Sequence, residues 1–168
     1  MPNVTIIVAV DINHAIGKDG DIPWRGKLRS DMDHFAKTTK GRIVVMGDKT
    51  YKSLPERFRP LPDRMNVVLT KDPTFRAAGC NVMYSIDEVF SAYGNQEIFV
   101  AGGGEIYRLF MPYANRLLVT YVNTTVDRAD TFFPEITGEW HRRIVLTQEV
   151  DTRNLFSFFV TEFTKTVP

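Results

Sequence analysis

Short apolar runs rich in β-branched residues alternate along this chain with segments whose apolar positions recur every three or four residues. The runs are Val4 to Val10, Ile43 to Met46, Asn66 to Leu69, Asn81 to Met83, Glu97 to Ala101 and Leu117 to Val122. Several are apolar on both faces, the pattern of central strands in a parallel sheet. Helical spacing falls between them. In the first helix, at about 100° per residue, Leu28, Asp31, Met32, Phe35, Ala36 and Thr39 share one face, and Arg29, Ser30, Asp33, His34 and Lys37 take the other. A second helix spans about Asp48 to Leu54. A third sets Ile86, Val89, Phe90 and Tyr93 on one face behind Ser85, with Glu88 completing a capping box, and a fourth follows Gly104. The tail differs: Arg142 to Glu149 and Leu155 to Thr164, separated by Asp151-Thr152-Arg153-Asn154, read as an antiparallel hairpin at one edge. The pattern predicts a single α/β domain over residues 1–168, with a mostly parallel central sheet of about eight strands and about four flanking helices.

Composition narrows the function. A chain of 168 residues can bury a full core without metal or disulfide. The formal net charge of +1 comes from interspersed charges, which argues against nucleic acid or a membrane surface as the partner and for a small molecule. Cys80 is the only cysteine, and His14, His34 and His141 have no metal-ligand spacing with it. The run Val4 to Val10 lacks basic residues before it and stops at Asp11, unlike a signal peptide or membrane span, so a cytoplasmic protein is expected.

Asp31 is the residue that this pattern leaves unexplained. A carboxylate buried without partners costs several kcal/mol or has its pKa raised, so an inward Asp31 needs a donor from the protein or from a ligand. The alternative is a helix that starts near Ser30, with Asp31 a partly solvated first-turn acid favoured by the helix dipole. Two strand-to-helix turns add a second signal: Ala101 runs into Gly102-Gly103-Gly104-Glu105-Ile106-Tyr107, and Met46 into Gly47-Asp48-Lys49-Thr50. Glycine lets a ligand approach the backbone, and the free N–H groups opening a helix can hold phosphate. Neither turn has the usual dinucleotide or P-loop spacing, and each is also compatible with a plain tight turn.

Taken in order, the motifs resemble the dihydrofolate reductase family over nearly the whole chain. They are Val8-Ala9-Val10, Ala15-Ile16-Gly17, Ile22-Pro23-Trp24, the Asp31 helix with Phe35, Val45-Met46-Gly47, Lys49-Thr50, Arg59-Pro60-Leu61-Pro62 with Arg64, Gly102-Gly103-Gly104 with Tyr107, Thr120, and Asp130-Thr131 before Phe133-Pro134. The resemblance implies reduction of 7,8-dihydrofolate to tetrahydrofolate, with hydride from NADPH and a proton added at N5 of the pterin. Asp31 would pair with the N–H edge of the pterin, and Thr120 would hydrogen-bond both the acid and the pterin amino group. A water would deliver the proton while Asp31 tunes it. Ile22, Trp24 and Tyr107 would lie near the reacting centre.

The same resemblance places Ile7, Val8, Ala9 and Ala101 beside the pterin and nicotinamide, and Met32, Phe35 and Leu54 along the apolar middle of the substrate. Arg64 would grip the glutamate tail with help from Arg59, a task suited to guanidinium's fork. Arg57 reads as solvated. Cofactor contacts would come from Ala9, from Ile16, Gly17, Gly20 and Asp21 of a mobile loop, and from Gly47, Asp48, Lys49 and Thr50. Leu69, Thr70, Lys71, the run Gly102, Gly103, Gly104, Glu105, Ile106 and Tyr107, and Thr131 complete the set. The loop from Ala15 to Trp24 would close over the nicotinamide.

Some positions depart from the family pattern. Gly26 lengthens the stretch between Trp24 and Asp31, and His34, read as a surface residue, replaces a tryptophan sometimes found there. Asp48 stands where a basic residue usually meets the 2′-phosphate, which leaves NADH open beside NADPH. No metal is expected, and the protein is expected to be a monomer. Two rivals remain: a riboflavin-pathway pyrimidine reductase of the same fold, which would not require Asp31 or Arg64, and a catalytically silent folate or dinucleotide sensor, against which Asp31 and Thr120 argue.

Overall fold

Each apolar run forms a strand in the computed structural model, which describes residues 1–166. Along the chain come β1 (Asn3–Val10), β2 (Ala15–Gly17), α1 (Arg29–Thr39), β3 (Ile43–Gly47), α2 (Asp48–Ser53), β4 (Met65–Leu69), β5 (Asn81–Met83) and α3 (Ile86–Tyr93). There follow β6 (Glu97–Val100), α4 (Gly104–Phe110), β7 (Ala114–Val122), β8 (Thr131–Phe132), β9 (Trp140–Gln148) and β10 (Phe158–Lys165). Eight strands make one sheet in the order β5-β4-β3-β6-β1-β7-β10-β9, parallel from β5 through β7 and antiparallel where β10 joins β7 and β9.

Alternation along β1 divides the core. Ile6, Val8 and Val10 pack with Val45, Val100 and Val119 under Val89 of α3 and Tyr107 and Phe110 of α4. Ile7, on the other face, packs with Val44, Met46, Phe99 and Leu118 against Tyr51 of α2, with Phe35 of α1 and Leu54 alongside. The carboxyl ends of β1, β3, β4 and β6 thereby open between helices of both layers, where ligands of parallel α/β sheets bind.

Local chemistry explains the departures from the sequence reading. Leu54 precedes Pro55 and adopts extended φ/ψ of −64° and 141°, so α2 stops at Ser53. The terminal hairpin is shorter than predicted on its return side: residues 149–157 leave the ladder, because Asp151 Oδ1 accepts the N–H groups of Arg153 and Asn154 and turns the chain away from β9. Ser85 Oγ does accept the Glu88 N–H, but the Glu88 carboxylate reaches the N–H of Tyr84 instead of closing the predicted box. The pairing of β2 with β8 had no signal in the pattern, since the strands have three and two residues.

Candidate active site

α1 has no side-chain cap of its own, and its first turn is completed from far along the chain. The Ser30 N–H donates to Oδ1 of the fully buried Asn154 at 2.9 Å, and the Arg29 N–H to the carbonyl of Arg153 at 3.1 Å. This anchoring sets the rotation of the helix, and with it Asp31. Both sequence readings of Asp31 hold at once: it is a first-turn acid, and it is aimed inward. The Thr120 hydroxyl, on β7 and 89 positions away, donates to Asp31 Oδ1 at 2.7 Å. Among the described residues no other side chain or backbone donor reaches this carboxylate. Burial pushes its pKa up to about 6, with the Thr120 bond pulling the other way.

Around this pair, Phe35, Leu54 and Ala101 pack against the cluster that contains Ile7. Met32, on the same helix, is half exposed. Val8 turns its side chain into the opposite core layer, so only its backbone faces Ile7's side. Ala9 packs beside the buried Trp24 and Leu28. Tyr107 is buried and donates its hydroxyl to the Ile7 carbonyl at 3.0 Å; burial, and secondarily the Asp31 charge, raise its pKa beyond the normal tyrosine range. The Tyr107 ring lies under Gly102, where a Cβ would come within 3.1 Å of it, and Gly102 has φ +107°; a side chain is excluded on both counts.

The two glycine turns meet. The Gly47 N–H donates to the Gly102 carbonyl at 2.9 Å, which sets the starts of α2 and α4 side by side. Gly47 and Gly103 are their N-caps and neither offers a side chain to the helix, so the opening N–H groups remain free for an anion. Ile106 packs on Gly47, and Thr131 on Gly104, where a Cβ would approach to 2.9 Å. Glu105 is exposed. Beside α2, the Thr70 hydroxyl donates to Asp48 Oδ2 at 2.6 Å. Leu69 is buried behind this contact, while Lys49 and Lys71 are exposed and Thr50 half-buried. A two-phosphate ligand fits these backbone donors; the Asp48 carboxylate makes the outer end of the cradle less basic than two lysines alone would.

The loop after β2 is more ordered than its glycines suggest. Lys18 and Asp21 exchange backbone hydrogen bonds at 3.0 Å around Asp19 (φ 51°) and Gly20 (φ 76°), a two-residue hairpin with both central residues left-handed. The Asp19 N–H donates to Asp130 Oδ2 at 2.8 Å, and Gly17 pairs with Thr131. Ile16 packs on the core, and Ile22 at the other end is exposed. Beyond Phe35, the Arg64 guanidinium lies over its ring at 5.6 Å and donates to the Pro62 carbonyl. Arg59 lies over Tyr51 at 6.0 Å with a buried Nε that has no acceptor among the described residues, and Arg57 is exposed.

His34 corrects the surface assignment. It is half-buried, its Nε2 is enclosed without a partner, and its Nδ1 lies 3.5 Å from the Thr38 hydroxyl. Burial, then the neighbouring Arg116, lower its pKa. Sequence reasoning also missed Asp11, whose carboxylate accepts the N–H groups of Asn13, Ala15 and Val126 and so fixes the start of the loop. Its signal was present: an acid ending an apolar strand and followed by Asn13 is a common turn former.

A sequence model of the family described as Dihydrofolate reductase matches residues 3–165. The dihydrofolate reductase of Staphylococcus haemolyticus is 36% identical over 158 residues, 93% of this chain and 92% of that protein. That of Mycobacterium tuberculosis is 41% identical over 149 residues, 83% and 89% of the two chains. Among solved structures, dihydrofolate reductase from Enterococcus faecalis complexed with NADP(H) and RAB-propyl superposes with a TM-score of 0.89 at 29% identity, covering 98% of this chain and 97% of that one.

Proposed function

The chain belongs to the dihydrofolate reductase family, and from that premise we propose how its own residues perform the family reaction. The protein reduces 7,8-dihydrofolate to 5,6,7,8-tetrahydrofolate with NADPH, an oxidoreductase activity. The observation that carries the assignment of roles is the isolated Asp31–Thr120 pair at the mouth of the sheet. A carboxylate held by one hydroxyl has acceptor capacity left for the N–H edge of an aminopyrimidinone ring, a charge-assisted geometry that orients the pterin. At pKa about 6 the carboxyl still holds a proton in roughly a tenth of molecules at neutral pH, so it can tune the acidity of a water near N5.

NADPH, when bound, supplies the hydride. Gly47, Gly103 and the helix starts behind them would hold its phosphates, and the loop from Gly17 to Trp24 would exclude water from the rings. Phe35, Leu54 and Met32 would line the middle of the substrate, and Arg64, steadied over Phe35, would take the glutamate carboxylate at the rim. The reading treats residues 1–168 as one functional domain acting as a cytoplasmic monomer on small molecules; among the described residues no helix is long and apolar enough to cross a membrane.

Asp48, with the Thr70 hydroxyl already committed to it, opposes a 2′-phosphate, while Lys49 and Lys71 attract one. NADPH is therefore preferred over NADH by a reduced margin. The test is dihydrofolate-dependent oxidation of each cofactor at fixed ionic strength, in wild type and in Asp48→Arg. Turnover with NADPH above NADH, widening on substitution, supports the assignment. No dihydrofolate-dependent oxidation at all defeats it, and an unchanged ratio removes Asp48 from the phosphate site.

A further inference from the structure

Arg25 follows Trp24 at the end of the loop from Gly17 to Trp24, and its side chain keeps 27% of its surface, against 59% for its partner Asp21. Its Nε donates to Asp21 Oδ1 at 2.6 Å, the same oxygen that accepts the Ile22 N–H at 2.7 Å. Its backbone N–H donates to the Ile22 carbonyl at 3.1 Å, closing a turn that includes the whole of Ile22-Pro23-Trp24. From there Nη2 extends to Ser53 Oγ at 3.5 Å. Ser53 is ready to accept, because its own proton is donated to the Thr50 carbonyl at 2.7 Å in the last turn of α2. The next residue is Leu54, on the cleft side with Phe35.

One guanidinium thus touches both the loop and the last turn of α2. Asp21 closes the two-residue hairpin at the loop tip, whose other tie is the Asp19 N–H to Asp130. That tie fixes the loop from the cofactor side; nothing else among the described hydrogen bonds fixes it from the substrate side. Guanidinium suits the task, since separate N–H groups can serve two acceptors at once, whereas an ammonium acts as a point charge. Burial would raise the Asp21 pKa, but the hydrogen bond and charge of Arg25 and the Ile22 N–H outweigh it and leave it lowered, so the pair stays charged throughout the neutral range.

We propose that Arg25 is a positioning residue for the reaction, strapping the loop from Gly17 to Trp24 to the C-terminal end of α2 on the substrate side of the cleft. The proposal rests on the reductase reading for its consequence, but not for its geometry. With the strap in place the loop is held over the site before substrate arrives, and dihydrofolate entry or tetrahydrofolate exit requires Arg25 to leave Ser53. The pair with Asp21 travels with the loop; the contact with Ser53 is the one that breaks.

Amide hydrogen exchange of the full chain without ligands tests the strap, in wild type, Arg25→Met, Arg25→Lys and Ser53→Ala. In Arg25→Met, peptides covering residues 17–24 exchange at least about fivefold faster while those in β1 and β7 are unchanged. Ser53→Ala gives a smaller acceleration in the same peptides, and Arg25→Lys, which can still pair with Asp21, falls between wild type and Arg25→Met. Unchanged exchange in residues 17–24, or equal acceleration in β1 and β7, overturns the proposal. In steady state, KM for dihydrofolate rises several-fold more in Arg25→Met than kcat falls; a fall in kcat alone also overturns it. A wild type without dihydrofolate turnover would defeat the reductase reading, and the exchange experiment would still decide the strap.

Discussion

Asp31 and Glu162 lie against the same face of the sheet, and the protein equips them in opposite ways. Glu162, on β10 opposite Leu118 of β7, accepts Arg116 Nε at 2.8 Å on one oxygen and the Arg143 guanidinium on the other. Arg116 continues to Glu97, which also takes the Thr5 hydroxyl, so ion pairs and this hydrogen bond tie β6, β1, β7, β10 and β9 together. Asp31 has one hydroxyl. Burial would raise both carboxyls; for Glu162 the bonds from Arg143 and Arg116 outweigh it and its pKa is lowered, while for Asp31 burial prevails. A saturated carboxylate holds strands together, and an under-saturated one keeps capacity for a ligand. Burial alone does not separate the two; the donor inventory does.

The largest effect should come from removing the under-saturated acid. Asp31→Asn is expected to cut kcat for dihydrofolate at least about a hundredfold, and steady-state rates across the neutral range check it. Equal rates for variant and wild type would place Asp31 with Glu162 as a structural group. Stability should move the other way. Because the folded pKa of Asp31 is raised, ionising it costs folding free energy as pH climbs from the unfolded value near 4 to about 6. Denaturant titrations should therefore find Asp31→Asn more stable than wild type by up to about 3 kcal/mol at about pH 7.5, with the difference gone at about pH 4.

Glu162→Gln sharpens the contrast from the structural side. Its pKa is lowered in the fold, so its contribution is present above the unfolded value and lost as pH falls through the folded one. The variant should lose about 2 kcal/mol at neutral pH, the usual worth of hydrogen bonds to a charged group, and leave KM near wild type. The smallest effect is expected from Thr120→Val. Removing the single bond that favours the ionised form should raise the Asp31 pKa further and move the limb of the pH–rate profile that it governs to higher pH.

Much of this contrast was written in the chain. Helical spacing set Asp31 among Leu28, Phe35 and Thr39, where a carboxylate breaks the apolar stripe, but left a partly solvated first-turn acid open; the order of the family motifs was needed to choose the inward role. Central strands were legible because burial on both faces demands unbroken apolar runs. The Glu162 network was not, since Glu97, Arg116, Arg143 and Glu162 sit at ordinary alternating positions of separate strands and only register brings them together. The same holds for Arg25, which reads as one of many solvated charges, and for His34, whose half-buried ring with an enclosed Nε2 is set by tertiary packing rather than by the helix's own spacing. Pairing across the sheet is set by the fold, not by any one segment's pattern.

The cap of α1 has a consequence for synthesis. The donor at Ser30 meets its acceptor at Asn154, 124 positions later. A chain emerging from the ribosome N-terminus first can assemble β1, α1 and β3 early, but the first turn of α1 stays without this partner until the segment around Asn154 has cleared the exit tunnel. A missing cap costs a helix about 1 kcal/mol, concentrated where Asp31 sits. The nascent chain therefore carries Asp31 on a frayed turn, and this carboxyl acquires its defined geometry only once the segment around Asn154 has joined the fold.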